Sequence, residues 1–404
     1  MPFPSLHVIP TFISNGNTVE LNGEELISGN TRFNLLAAPV IKVTTIEDES
    51  RYYKLILLQP DFELVVSSRE TDYDYCKIYT IEDFDSFELT TLIPDTNATD
   101  ISLGYMDDDE KLDLLFYSGM NYTIKSSFFL NQGRGNFLLS NCIENNGIRS
   151  NYLADFDTDG DTDAFFIFHD DSTAFIYKND RYGNFSEFSE LPISNFELID
   201  FADFDNDGDV DIVAVPDSMV HYDDTPLIFY NDGSGKFDDY EKLPYPSRFP
   251  DSIVIGDLNN DFLNDIVFIS VNIIIYMNQG NKNFERIEPG LTNMWINKGR
   301  LIDIDGDQDL DILTGGKFAG RISVGLNEGD GNFSDDYSVE IQGTDSIKNF
   351  FPADFNHDGY VDILAYCSNG YYQIILNNGD LTFTNKSIND LGDDFWYSAV
   401  ANLF

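Results

Sequence analysis

The sequence predicts an all-β fold in which one four-stranded unit is repeated around a closed ring. Three observations predict it: five acidic segments recur at a nearly constant step, a Gly-rich turn follows each, and the two chain ends resemble complementary pieces of one unit. A fixed period of this length indicates an array of supersecondary units rather than several separate domains. The abundance of Phe and Tyr, 34 and 22 among 404 residues, also favours sheets over helices.

The acidic segments share a regular alternation of oxygen-bearing side chains. Each has Asp or Asn at positions 1, 3 and 5 and Asp at position 9. Carboxylates this close repel one another unless a cation lies between them. Calcium binds about six to eight oxygen ligands and accepts carboxylate, amide and carbonyl oxygens together. We therefore predict about five calcium sites, in DFDTDGDTD from Asp155, DFDNDGDVD from Asp203, DLNNDFLND from Asp257, DIDGDQDLD from Asp303 and DFNHDGYVD from Asp354.

A second mark follows each acidic segment and predicts a hairpin. An Asn is followed six residues later by a Phe, with Gly-rich turns between them. Gly and Asn accept positive φ in tight turns, and the Phe is expected to fill the core. A repeated ligand pocket is the alternative interpretation. The pairs are Asn131 and Phe137, Asn179 and Phe185, Asn231 and Phe237, Asn278 and Phe284, Asn327 and Phe333, and Asn377 and Phe383.

The chain ends predict how the ring closes. The last residues, YSAVANLF, resemble the strand that enters each acidic segment, and the first residues resemble the strands that follow one. A split unit formed by about 5–33 plus 395–404 would leave no exposed sheet edge. Counting weakened acidic segments from Ile46 and Tyr105, we expect eight units in a single domain spanning 1–404, with seven as the alternative.

Composition excludes several classes of partner. The net charge is −48, and the five acidic segments hold 21 of the 71 acids. Binding to phosphates requires clustered Lys and Arg, so we expect neither a nucleic acid partner nor adhesion to an anionic membrane. No apolar run reaches the length of about 18 residues that indicates a membrane span, so direct membrane insertion is not expected. The three cysteines, Cys76, Cys142 and Cys367, give no disulfide framework and are expected to be buried.

The acidic motif carries a resemblance to a known family. The pattern D-x-[DN]-x-D-G-x-x-D, entered by a short apolar strand and followed by strands such as DILAY, resembles the FG-GAP/VCBS repeat. That family builds the β-propeller of integrin α-subunits and of many bacterial surface proteins. The resemblance covers essentially the whole chain. It implies a β-propeller of four-stranded antiparallel blades with calcium in the loop between the first two strands of a blade.

The resemblance also implies a set of calcium ligands. Phe262 and Gln308 replace the sixth-position glycine of the pattern, which puts the tight turn of their segments in doubt. The copy from Tyr105 lacks its first carboxylate and is doubtful as a site. The seventh position would contribute its backbone carbonyl, assigned to Asp161, Asp209, Asn264, Asp309 and Tyr360. The side-chain ligands carried over are Asp155, Asp157, Asp159 and Asp163; Asp203, Asp205, Asp207 and Asp211; Asp257, Asn259, Asp261 and Asp265; Asp303, Asp305, Asp307 and Asp311; and Asp354, Asn356, Asp358 and Asp362.

Three functions are open from the sequence. The first is a non-enzymatic module for protein interaction or adhesion, at the cell surface or outside the cell, where such calcium sites fill. A lectin that binds glycans is the alternative, although its aromatic candidates, Trp295, Trp396, Tyr371 and Tyr372, do not recur in register. The third is an enzyme of the polysaccharide lyase type, but the four histidines form no catalytic motif and we predict no catalytic residue. The first residues do not resemble a signal peptide, so a cytoplasmic location stays open.

Overall fold

The computed structural model describes most of the chain from residue 100 onward and separate strands before it. The described secondary structure is β-strand throughout, which confirms the predicted all-β class. None of the described residues forms a helix long and apolar enough to cross a membrane. The described residues are 18–21, 24–25, 40–44, 50–54, 62–68, 75–83, 86–94, 100–107, 109, 111–118, 125–133, 136–144, 148–168, 174–191, 196–216, 225–244, 246, 250–270, 272–291, 298–316, 319–334, 337–341, 346–356, 358–367, 372–388 and 395–401.

Six consecutive sheets, here named S1 to S6, are built alike. In each of them four strands that follow one another in sequence pair antiparallel with their neighbours. S1 holds β8 (Asp100–Gly104), β9 (Asp113–Ser118), β10 (Lys125–Asn131) and β11 (Phe137–Glu144); S2 holds β12 (Ile148–Ala154), β13 (Asp163–Phe168), β14 (Ala174–Asn179) and β15 (Phe185–Leu191); S3 holds β16 (Phe196–Ala202), β17 (Asp211–Pro216), β18 (Leu227–Tyr230) and β19 (Asp239–Lys242). S4 holds β20 (Ser252–Gly256), β21 (Asp265–Ile269), β22 (Ile273–Asn278) and β23 (Phe284–Ile287); S5 holds β24 (Lys298–Ile302), β25 (Asp311–Gly316), β26 (Ala319–Gly325) and β27 (Tyr337–Glu340); S6 holds β28 (Ile347–Ala353), β29 (Asp362–Cys367), β30 (Tyr372–Asn377) and β31 (Phe383–Ile388).

Two further four-stranded sheets contain the remaining strands. The N-terminal sheet has the order β2-β1-β3-β4, and the terminal sheet has the order β32-β5-β6-β7. The N-terminal sheet is formed by β1 (Thr18–Leu21), β2 (Glu24–Glu25), β3 (Val40–Thr44) and β4 (Ser50–Lys54); the terminal sheet by β5 (Phe62–Ser68), β6 (Tyr75–Asp83), β7 (Ser86–Pro94) and β32 (Phe395–Ala401).

The hydrophobic core lies between consecutive sheets. The second and third strands of a sheet are buried almost throughout, as in Asp265–Ile269 and Ile273–Asn278, whereas the fourth strand Asp239–Lys242 is exposed. Strands buried on both faces are expected to be continuously apolar. Each of six apolar clusters joins one sheet to the next, from the terminal sheet through S6. The Phe of each hairpin packs in or against one of these clusters, as predicted.

The C-terminal strand joins a sheet from the first quarter of the chain. Its pairing with β5 runs from Phe395 opposite Ser68 to Ala401 opposite Glu63. The predicted partner segment, 5–33, was wrong: its described strands, β1 and β2, pair with each other and with β3. The physical reason is that the β5–β7 meander leaves the long β5 edge open, and β32 matches its length.

The predicted count of eight equivalent units is not confirmed. The described residues form eight four-stranded sheets, but the N-terminal sheet lacks the sequential strand order of S1 to S6. The segment from Ile46, counted as a weakened copy, also differs. Its Lys54 ends strand β4, whereas the ninth-position Asp of every other copy begins the second strand of its sheet.

Candidate metal-binding loops

The acidic segments connect the first and second strands of S1 to S6, and the Gly-rich hairpins connect the third and fourth. Both connections therefore lie at the same end of each sheet. We call this end of the molecule the loop face. Side-chain contacts link its two kinds of connection directly, as in the hydrogen bond of 3.0 Å from Asn179 Nδ2 to the carbonyl of Thr162.

The acidic loops share one backbone template. In the 203–211 loop the first carboxylate, Asp203, accepts hydrogen bonds from the N–H groups of Asp207 (3.2 Å) and Gly208 (2.9 Å). The fifth-position carboxylate, Asp207, accepts one from the N–H of Asp209 (3.0 Å). The bond from the seventh N–H to the fifth carboxylate recurs in the other predicted calcium loops. Asx-type bonds of this kind hold a turn in shape without a regular secondary structure.

The same turn forms in the two loops that lack the sixth-position glycine. Phe262 and Gln308 adopt φ of 67° and 80°, so the doubt raised by their side chains is answered by the structure. Their N–H groups donate to the first carboxylates, Asp257 (2.7 Å) and Asp303 (2.9 Å). A left-handed conformation of a residue with a Cβ costs about 1–2 kcal/mol, which these bonds offset.

The ninth-position Asp is a buried anchor. Asp211 is 1% exposed, and its two oxygens accept from the N–H groups of Phe204 (2.8 Å) and Asn231 (2.8 Å). It thereby ties its own loop to the third strand of its sheet. Burial is the main cause that raises its pKa to about 7. The same cause raises the pKa of Asp163, Asp265, Asp311 and Asp362 to about 7 and that of Asp113 to about 6.

The hairpin Asn ties neighbouring sheets together through hydrogen bonds. The sequence did not reveal this role. Asn231 Nδ2 donates to the carbonyl of Val210 (3.1 Å) in its own sheet and to that of Phe156 (2.8 Å) in the preceding one. Its Oδ1 accepts from the N–H groups of Gly233 and Gly235 within the hairpin. A bond to the carbonyl of the second loop residue in the preceding sheet recurs for Asn179, Asn278, Asn327 and Asn377. The regular spacing of six residues between this Asn and the Phe marked the Asn in the sequence. It did not indicate which carbonyl the Asn side chain would contact.

Three loops bring carboxylates together in groups that could hold a metal ion. In each group one oxygen from the first, third and ninth positions lies within 4.8 Å of the others. One buried oxygen each of Asp155, Asp157 and Asp205 has no hydrogen-bond partner. A bound cation would provide the missing partner for these oxygens. This donor set fits calcium, which prefers oxygen ligands. The groups are Asp155, Asp157 and Asp163; Asp203, Asp205 and Asp211; and Asp303, Asp305 and Asp311.

The two loops with Asn at position 3 are arranged differently. Asn259 Nδ2 donates to Asp261 (3.0 Å), and Asn356 Nδ2 donates to Asp358 (2.7 Å), so the amide nitrogens are directed at the fifth carboxylate. The assignment of Asn264 to the seventh position was wrong, because Leu263 is the seventh residue of that loop and Asn264 the eighth. Asn264 Nδ2 instead donates to the carbonyl of Asp203 (2.8 Å) in the preceding sheet.

Comparison with known proteins agrees with this geometry. The model of the FG-GAP-like repeat matches residues 155–214, 203–268 and 303–365. Residues 155–268 and 303–365 of this chain are therefore FG-GAP-like repeats.

Solved structures similar to this chain show its fold alone, because their sequence identities are low. One is an Agrocybe aegerita lectin, solved for its specific recognition of non-reducing terminal N-acetylglucosamine; it is 17% identical, has a TM-score of 0.65, and the match covers 85% of this chain and 96% of that one. Another is the Pseudomonas aeruginosa periplasmic gluconolactonase PpgL, 10% identical with a TM-score of 0.59, over 85% of this chain and 99% of that one. No curated protein matches the sequence.

The loop face of this chain exposes several large aromatic side chains. Phe262 is 84% exposed, Tyr182 69%, Tyr105 45% and Tyr360 41%. They occupy different positions of their loops and hairpins, so they do not repeat in register. Of the aromatic residues considered for glycan binding, Tyr372 is fully buried, Trp396 lies in β32, and Trp295 and Tyr371 lie outside the described residues.

Proposed function

We propose that this protein is a calcium-stabilised β-propeller that binds a protein partner through its loop face, outside the cell and without catalysing a reaction. One observation carries the proposal: three groups of converging carboxylates lie on the same face, among hairpins tied from sheet to sheet by buried Asn side chains. A cation in such a group neutralises repulsion and rigidifies the loops that a partner would contact.

We further propose a ring of seven blades, made of the terminal sheet and S1 to S6. The pairing of β32 with β5 and the chain of packed sheet interfaces support it. In this arrangement the N-terminal sheet, 18–54, lies outside the ring. Deleting residues 396–404 is therefore expected to abolish cooperative unfolding, whereas deleting residues 1–54 leaves the melting temperature nearly unchanged. The opposite pattern in thermal melts of the two truncated proteins would contradict the seven-bladed ring.

Calcium is the proposed cofactor, held by the first, third and ninth positions of the 155–163, 203–211 and 303–311 loops. When bound, the ion would supply positive charge and accept the carboxylate oxygens as ligands. The carboxylates themselves hold the loop backbone, as Asp303 does through the N–H groups of Gly306, Asp307 and Gln308. Proteins with moderate calcium affinity fill their sites at extracellular concentrations, which supports a location outside the cell.

The chemistry of the loop face favours a protein partner. Exposed aromatic side chains dominate binding energy at protein interfaces. Here they lie among acidic loops of a chain with a net charge of −48, so a partner with basic and apolar side chains is complementary. Because the four aromatic residues do not recur in register, they do not have the arrangement expected of repeated sugar pockets. A glycan ligand is the second candidate, supported by the similarity in fold to a lectin that recognises N-acetylglucosamine.

A photo-crosslinking experiment tests the binding function. A photoreactive phenylalanine analogue is placed at Phe262 on the loop face or, as the matched control, at Leu138, which is 57% exposed on β11. Surface proteins of the source cells are offered with calcium or with a chelator. We expect a discrete crosslinked protein from position 262 in calcium alone. Crosslinks of equal yield from both positions would contradict the proposal, and binding to a glycan array that is lost in Phe262→Gly would favour the lectin.

Chelation tests the role of calcium independently of any partner. Removal of calcium should lower the melting temperature by many degrees, because an ion that binds the folded state alone stabilises it by mass action. Differential scanning calorimetry in calcium and in chelator measures this directly. An unchanged melt would refute calcium as the stabilising ion.

A further inference from the structure

Three loops have the same acidic side chains but different cationic surroundings. The 155–163, 203–211 and 303–311 loops each carry Asp at all five odd positions. Each also forms the converging group of first, third and ninth carboxylates. Because their donors are chemically identical, differences in calcium affinity among them must come from neighbouring residues.

The 155–163 loop is covered by two cations from its own sheet, Lys178 near the end of β14 and Arg181 in the hairpin that follows it. Lys178 Nζ forms ion pairs with the third and fifth carboxylates, Asp157 and Asp159, the latter at 2.6 Å. Arg181 donates from Nε to the seventh carboxylate, Asp161, at 2.5 Å. A second bond of 2.7 Å runs from its terminal nitrogen to the carbonyl of Asp159. These contacts place two positive charges on oxygens that a calcium ion would otherwise attract.

The equivalent places in S5 carry no charge. Lys178 precedes the hairpin Asn of S2, and Leu326 has that place in S5; Arg181 follows the Asn by two residues, where S5 has Gly329. A Cβ at Gly329 would lie 2.6 Å from an oxygen of Asp309, so that place has no room for a side chain. Arg181 adopts φ of 72°, which is costly for a residue with a Cβ. Its bonds to the acidic loop offset that cost.

The remaining two loops have fewer cationic contacts than the 155–163 loop, so the three loops form a graded series. In the 203–211 loop Lys282, from the hairpin of S4, lies 3.3 Å from Asp205 but is shared with Asp239 at 2.8 Å. Within the described part of the chain, no Lys or Arg forms an ion pair with the 303–311 loop. Its seventh carboxylate, Asp309, accepts instead from the neutral amide of Asn260 at 2.7 Å.

We infer that Lys178 and Arg181 are built-in counter-ions that make the 155–163 loop the weakest of the three calcium sites and the least dependent on calcium for its conformation. The 303–311 loop is the tightest site, and the 203–211 loop lies between them. A calcium ion entering the 155–163 loop must displace an ammonium group and experiences a smaller negative potential. The inference rests on the proposed binding of calcium.

Calcium titration of the full chain by isothermal calorimetry tests the ranking. Lys178→Leu and Arg181→Gly copy the side chains of S5, and Lys236→Leu on an exposed hairpin position is the matched control. Each of the first two changes should tighten the weakest binding event by about tenfold or more, because competition with a charged group couples strongly to cation binding. Lys236→Leu should leave all events unchanged. Asp157→Asn should remove the weakest event and Asp305→Asn the tightest.

Thermal melts give a second readout. In chelator Lys178→Leu should melt below the unmodified protein, and added calcium should raise its melting temperature by more. If neither Lys178→Leu nor Arg181→Gly changes the calcium affinities, the counter-ion role is overturned. If Asp157→Asn removes the tightest binding event, the ranking of the three sites is overturned. Absence of calcium binding in every variant refutes the proposed cofactor itself, so the two failures are distinguishable.

Discussion

The 105–113 loop and the 303–311 loop have the same buried backbone anchor, but they differ in their charged side chains. The ninth-position carboxylate Asp113 accepts from the N–H groups of Met106 and Asn131, both at 2.7 Å. The ninth-position Asp311 does the same with Ile304 (2.9 Å) and Asn327 (2.8 Å). The anchor therefore forms in both, whether or not the rest of the acidic motif is present.

The two loops differ in the carboxylates of the proposed cation site. The first position is Tyr105 in one loop and Asp303 in the other. The seventh position of the first loop is Lys111, whose Nζ forms an ion pair with Asp109. The 105–113 loop thus carries its own positive charge, whereas five carboxylates of the 303–311 loop have no such neighbour among the described residues. The comparison teaches that the motif combines two separable layers: a buried anchor that organises the sheet, and a group of surface carboxylates at which we propose that a cation organises the loop.

The largest predicted effect removes the anchor. Asp113→Ala and Asp311→Ala should each lower the free energy of unfolding by about 3 kcal/mol or more, because each leaves two buried N–H groups without acceptors. Urea denaturation measures both. The cost of Asp113→Ala should be the same in calcium and in chelator. A calcium-dependent cost at Asp113 would show that the two layers are not separable.

The next effect removes the first position of the motif. Asp303→Ala should cost about 2 kcal/mol in calcium, since it deletes a proposed metal ligand and the acceptor of three loop N–H groups. Tyr105→Ala should cost less than about 1 kcal/mol, because its side chain is 45% exposed. Denaturation of the two variants in calcium compares them. Similar costs would mean that the first position has no role beyond its surface contacts.

A smaller effect is the dependence of stability on pH. Burial raises the pKa of Asp113 to about 6 and that of Asp311 to about 7, above their value in the unfolded chain. The folded state then binds more protons than the unfolded state between about pH 4 and 7, so metal-free protein should lose stability as pH rises through this range. Calcium favours the charged form of Asp311 and should oppose the loss, whereas it leaves the contribution of Asp113 unchanged.

Urea denaturation at pH 5 and pH 8, with and without calcium, checks this sign. Asp113→Asn should reduce the pH dependence of metal-free protein and leave the effect of calcium intact. A metal-free protein whose stability rises between these pH values would contradict the buried, partly protonated anchor.

The smallest effect removes the internal cation of the 105–113 loop. Lys111→Met should change the melting temperature little, because an exposed ion pair contributes little to stability. The change should be equal in calcium and in chelator. A large calcium-dependent shift measured by calorimetry would mean that this loop also binds an ion.

The sequence was sufficient to predict the repeated loops and hairpins, because both depend on local chemistry. Asp at alternating positions and Gly or Asn at positive φ determine a turn without reference to distant residues. The turns at Phe262 and Gln308 were harder to predict, because the first carboxylate and not the sixth side chain holds them. Local patterns therefore revealed the position of each acidic loop but understated how well its backbone tolerates substitution.

Contacts between sheets could not be predicted, because they depend on three-dimensional packing. The role of Asn231 as a tie to the carbonyl of Phe156 spans 75 residues and leaves no pattern beyond the repeat itself. The partner of the C-terminal strand was mistaken for the same reason: short matches in composition pointed to 5–33, whereas the open edge of β5 decided the pairing. Likewise, the approach of Lys282 to Asp205 joins two different sheets.

Hydrogen–deuterium exchange of the two contrasted loops tests the central claim most directly. Peptides covering 303–311 and 105–113 are followed in the same sample with calcium and with chelator. The two-layer account predicts that calcium slows exchange strongly in 303–311 and leaves 105–113 unchanged. Equal protection of both loops by calcium, or no protection of either, would contradict it.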